Sequence, residues 1–156
     1  MMKKLMILIT VFTFYACSKN DDNNEQTSID IRIDITIKDS DGVDLLNPEN
    51  PNAYLEEDIY LKYLVNGEEQ NVYYGHQDHP KNLFIFEHEG TYRIRVFPNT
   101  EASEEFPITY IYWSETDRDT IKCAYNRYGN SIVCDKVWFN GDLIWDSGER
   151  YIEIIK

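Results

Sequence analysis

Two histidines three residues apart, in His76-Gln77-Asp78-His79, resemble a zinc-ligand pair, and Glu87 and Glu89 follow along the chain. Zinc needs three or four donors converging on one point. A strand over 83–86 would put His88 with Phe86 on one face and Glu87 with Glu89 on the other, which disperses the donors. The alternative is a solvent-facing loop with incidental histidines, and the chain lacks a His-Glu-x-x-His motif. A second cluster, Asp39-Ser40-Asp41-Gly42-Val43-Asp44, brings three carboxylates around a glycine, the oxygen-rich setting that calcium prefers. Its spacing departs from an EF-hand loop, and Asp39, Asp41 and Asp44 equally suit an ordinary turn.

Cys123 and Cys134 lie on two β-rich runs joined by the turn signal Tyr128-Gly129. A hairpin centred there sets the two cysteines directly opposite each other, within the Cα reach of a disulfide. Such a bond would contribute ~3 kcal/mol in the chain-entropy account. The alternative is a pair of buried thiols beside Ile121, Tyr125 and Ile132. Neither a Cys-x-x-Cys motif nor a neighbouring histidine points to redox catalysis. A Gly-x-Ser-x-Gly elbow and a Gly-rich phosphate loop are likewise absent from the sequence, and Glu101, Glu104 and Glu105 read as a solvated connection. Aromatic residues are the remaining candidates. The 12 tyrosines with Trp113, Trp138 and Trp145 could stack on sugars or anchor a protein partner. Most belong to the core on this reading; Trp113, at a strand end before Ser114-Glu115-Thr116-Asp117, is the one expected at the surface.

The elements that must position these groups are strands. Ile29, Ile31, Ile33, Ile35 and Ile37 alternate with Asp30, Arg32, Asp34, Thr36 and Lys38, the period-2 pattern of a half-buried strand. Further β-rich runs cover 59–65, 71–74, 83–86, 92–97, 106–113, 120–126, 131–139, 143–145 and 151–155. Turn signals at Asn66-Gly67, Glu89-Gly90, Tyr128-Gly129-Asn130, Asn140-Gly141-Asp142 and Ser147-Gly148-Glu149 separate many of them. Short strands at this spacing, with no long helical pattern, predict an antiparallel β-sandwich, immunoglobulin-like or transthyretin-like, with a small β-barrel as the alternative. In the run 106–113, Phe106, Ile108, Tyr110 and Tyr112 share one face and Ile111 and Trp113 the other. The stretch 39–52, with Pro48 and Pro51, is a surface loop. One domain over 28–156 accommodates all of this.

The N-terminus carries a different signal. Lys3 and Lys4 precede an apolar run from Leu5 to Tyr15, too short to cross a bilayer, and Ala16-Cys17 follows. This resembles a lipoprotein signal sequence, with 1–16 removed and Cys17 acylated. Phe14 and Tyr15 stand where such signals usually have a leucine and a small residue, so a plain signal peptide cleaved nearby is the alternative. Ser18-Lys19-Asn20-Asp21-Asp22 is similar to the export signal of surface lipoproteins of the Bacteroidota. The resemblance implies a small all-β lipoprotein, anchored by its acyl chains in the outer membrane and exposed at the cell surface. It implies a place and a fold, not an activity. Residues 17–27 then form an acidic tether spanning at most ~35 Å.

The formal net charge is −13, and removing Lys3 and Lys4 deepens it. A chain this acidic, with no basic stripe in its sequence, is not expected to bind nucleic acid, and an anionic membrane surface would repel it, leaving the lipid anchor to hold it. The leading expectation is a non-catalytic binding module for a glycan or a protein. An accessory structural subunit of an outer-membrane assembly is the second. A metal-dependent hydrolase built on His76, His79 and a carboxylate is the third.

Overall fold

The alternating isoleucines form two strands, because the chain changes sheets between them. In a computed structural model, which describes residues 27–156, β1 (Ile29–Asp30) joins one sheet and β2 (Ile33–Lys38) the other. Cys17 and the export-like segment lie outside the described residues. The remaining strands are β3 (Tyr60–Val65), β4 (Glu68–Asn71), β5 (Leu83–His88), β6 (Thr91–Val96), β7 (Ile108–Tyr112), β8 (Arg118–Tyr128), β9 (Ser131–Phe139), β10 (Asp142–Trp145) and β11 (Tyr151–Ile155). A seven-stranded sheet runs in the order β1-β9-β8-β7-β3-β4, with β10 also on β9, and a four-stranded sheet runs β11-β2-β6-β5.

The two sheets share one core. Ile33, Ile35 and Ile37 of β2 and Ile94 of β6 meet Leu61, Ile111, Ile121 and Val137 of the larger sheet, all fully buried. Each such side chain contributes ~1.5–3 kcal/mol on burial. The architecture is therefore an all-β sandwich, and since neither sheet closes on itself the barrel alternative falls away. Pairing is antiparallel except at β1–β9 and β11–β2, which run parallel. Both exceptions arise where the chain crosses between sheets, before β2 and before β11. Arg150 stitches those crossings together: its guanidinium donates to both carboxylate oxygens of Asp30 at 3.0 Å and to the Arg32 carbonyl at 2.9 Å. At the start of β1, the Ser28 N–H donates to Ser131 Oγ and the Ser28 carbonyl accepts from the Ile132 N–H, so the chain enters the fold beside the β8–β9 turn.

Three expectations need correction. The run 71–74 is not a strand; β4 is Glu68–Asn71, because Asn66 (φ 52) and Gly67 (φ 80) form a two-residue turn that pairs Val65 with Glu68 at once. Asp34 and Thr36 of β2 are buried as well as its isoleucines: Asp34 receives a bidentate Arg95 at 2.7 and 2.8 Å, and Thr36 donates to the Tyr92 carbonyl. Trp113 is 1% exposed, the largest of the fully buried side chains.

Candidate functional site

Neither proposed metal cluster converges. Asp39 Oδ1 accepts from the backbone N–H groups of Asp41 and Val43, while Asp44 accepts from Leu46 through one oxygen and from Tyr92 through the other. These carboxylates cap the backbone of a turn and tie it to β6. His79 stacks on Phe84 at 3.9 Å, and His88 lies edge-on to Phe86 on the outer face of β5. The cavity of about 310 Å³ beside His79 is also lined by Lys81, whose ammonium donates to the carbonyls of Glu56, Glu57 and Ile59. A fixed ammonium there opposes a divalent cation. Among the described residues no group of three His, Cys, Asp or Glu could hold a metal ion.

Cys123 and Cys134 both face the core as free thiols. The ladder does not set them opposite each other: Tyr125 faces Cys134 and Val137 faces Cys123. The cause is twofold. The turn centres on Gly129-Asn130, so Tyr128 pairs with Ser131, and an extra residue, Asp135, bulges β9 between Cys134 and Lys136. The cysteines become diagonal neighbours, and a hydrogen bond from Cys123 to Cys134, reinforced by burial, pushes the Cys123 thiol up and keeps it protonated.

The outer face of the seven-stranded sheet gathers half-buried rings and cations on one regular surface. β7 turns Thr109 and Ile111 inward, so Ile108, Tyr110 and Tyr112 point out. Cross-strand register extends this face: Tyr112 lies between Tyr60 and Arg118, Tyr110 between Lys62 and Thr120, Lys122 between Ile108 and Trp138, and Lys136 beside Ala124. Tyr60 and Tyr112 stack with ring centroids 4.7 Å apart. Cations lie over the rings, with Arg118 4.6 Å from the Tyr110 centroid, Lys62 4.9 Å from that of Tyr112, and Lys122 4.6 Å from Trp138 and 5.6 Å from Phe106. Glu69 accepts from Tyr112, Lys62 and Arg118, and those bonds, Tyr112's foremost, hold its carboxyl below the usual range. At one edge, Tyr60, Lys62, Asn71 and Tyr73 line a shallow groove of about 410 Å³.

The sequence placed Phe106, Ile108, Tyr110 and Tyr112 on one face, but Lys62, Arg118, Lys122 and Trp138 join them only through strand order, which carries no local signature. Rings and cations so arranged can stack on apolar ligand surfaces and pair with anions. No protein-family model, curated protein or solved structure matches this chain.

Proposed function

We propose that this chain is a lipid-anchored cell-envelope protein, held at the outer membrane through Cys17 and facing outward, whose sandwich is a non-catalytic binding module for a glycan or a protein. The observation that carries the binding reading is the outer face of the seven-stranded sheet, where Tyr60, Tyr110, Trp138 and Phe106 remain partly exposed beside the paired strands β3, β7, β8 and β9. Rigid rings on rigid strands lose little entropy on binding, which suits a recognition surface. The leader and the Ser18-Lys19-Asn20-Asp21-Asp22 segment support the anchored, surface-facing placement.

Two measurements test this reading. Cys17→Ser is expected to move the chain from the membrane fraction to the soluble one, and protease shaving of intact cells to remove the domain while sparing a periplasmic control. In a thermal-shift panel of glycans and proteins, a ligand is expected whose stabilisation is lost in Trp138→Ala and Tyr110→Ala and kept in Phe86→Ala, on the opposite sheet. Ligand response lost only in the Phe86 variant would overturn the assignment of this face.

A further inference from the structure

Charge is distributed differently on the two outer faces of the sandwich. On the four-stranded sheet, Arg93 and Arg95 also lie over rings, those of Tyr151 and Phe86, but each guanidinium has a carboxylate: Glu149 at 3.2 Å and Asp34 at 2.7 Å. The outer face of the seven-stranded sheet carries four cations, Lys62, Arg118, Lys122 and Lys136; a fifth on that sheet, Arg127, donates to the Thr100 carbonyl. Lys62 and Arg118 share the single carboxylate of Glu69. Asp135, the acid at the bulge nearest Lys136 in sequence, accepts from Asn126. Among the described residues Lys122 and Lys136 have no ion pair, although acids outnumber bases in this chain by 28 to 15. Two ammonium groups without a carboxylate partner, set beside aromatic rings in a chain of net charge −13, make this face complementary to an anion.

We infer that the outer face of the seven-stranded sheet binds a polysaccharide of carboxylate-bearing sugars, a reading that rests on the binding function proposed above. The face supplies only side chains. A peptide adding as a strand would be confined to the outer edge of β4, which pairs only with β3, and would leave the rings and ammonium groups of β7, β8 and β9 unused. What it offers is a strip of rings and ammonium groups about 14 Å wide from β9 to β3. That strip matches a chain of sugar rings, whose C–H faces stack on aromatics and whose carboxylates meet Lys122 and Lys136. A ligand with one charge per sugar also suffers less from the acidic remainder of the domain than duplex DNA, with one charge per ~1.7 Å, does.

The test uses the full chain in detergent with polygalacturonate, its carboxyl-reduced neutral counterpart, polyglutamate and single-stranded DNA, by calorimetry at low and high salt. Polygalacturonate is expected to bind, with affinity falling as salt rises. Lys122→Ala is expected to bind polygalacturonate about tenfold more weakly, the size of one lost charge-assisted contact, and the neutral polymer, which loses the contacts to both lysines, to bind the parent about a hundredfold more weakly. Lys122→Arg is expected to restore binding. Equal binding of the charged and neutral polymers, both lost in Trp138→Ala, would overturn the anionic ligand class and leave the binding face standing. Tighter binding of polyglutamate or DNA than of polygalacturonate would overturn the sugar-acid class. Binding of polygalacturonate that neither Lys122→Ala nor Trp138→Ala affects would overturn both the inference and the proposed face.

Discussion

Trp113 is held in the core by a carboxylate, Asp119 on β8, which collects three donors. The Trp113 indole N–H donates to Asp119 Oδ2 at 2.7 Å, Asn140 donates to Oδ1 at 2.7 Å, and Lys156 Nζ lies 2.8 Å from Oδ2. Burial pushes the Asp119 carboxyl up, but the bonds from Asn140, Lys156 and Trp113 outweigh it and leave the group below its ordinary value. The folded state therefore holds this acid ionised more strongly than the unfolded chain, whose aspartates titrate near ~3.9. Its contribution is present above that pH and is lost as pH falls through the lower, folded value. Asp119→Ala is expected to cost about 2 kcal/mol at pH 7, because it strands the indole N–H and leaves Lys156 with Asp117 alone. In urea unfolding, the gap between variant and parent should narrow at pH 3; a gap as wide there as at pH 7 would show that the carboxylate charge plays no part. The same network explains why a tryptophan followed by Ser114-Glu115-Thr116-Asp117 misleads as a surface residue. Polar neighbours in sequence suggest solvent, whereas the partners that bury the indole come from β8, Asn140 and Lys156.

At the scale of the strand, the bulge in β9 decides which side chains face the core. Asp135 is the added residue, so Cys134 and Val137 both point inward although an odd interval separates them. Deleting Asp135 restores a regular ladder that still pairs Ala124 with Lys136, and the fold should retain it. Deleting Val133 instead shifts Cys134 by one place and turns it outward. Labelling with a thiol reagent under native conditions is expected to spare both cysteines in the parent, where they are 0% and 3% exposed, and in the Asp135 deletion, but to modify Cys134 in the Val133 deletion. A shielded Cys134 in that last variant would disprove the register argument. Strand positions were largely legible because alternation and Asn-Gly turns are local: Asn66-Gly67 and Asn140-Gly141 adopt the positive φ angles of tight hairpins. What could not be read was anything set by a single residue's offset. The β8–β9 turn falls one residue later than its tyrosine suggests, and nothing in Cys134-Asp135-Lys136 announces a bulge. The candidate site suffered in the same way. Each outward residue was assignable on its own strand, but the grouping of Lys122 with Trp138, or Lys62 with Tyr110, depends on which strands are neighbours.

Across the whole molecule, a single buried cluster draws on both sheets and on the loops that carry Leu46 and Ile59. No subset of strands has a core of its own, so unfolding is expected as one cooperative transition, with far-ultraviolet dichroism and tryptophan fluorescence giving coincident urea midpoints. Separate midpoints would mean that the sheets come apart independently. The position of β1 has a further consequence. It enters beside the β8–β9 turn, and the nine residues of β9 carry the sheet about 30 Å away from that entry point. With Cys17 acylated as proposed, the attachment would lie on the side of the sandwich where β1 enters. Along β9, Trp138 would then sit farther from the attachment than Lys136 does. If the face binds a long polymer as inferred, several copies anchored along one membrane would hold a single chain at several points, like pickets along a rail.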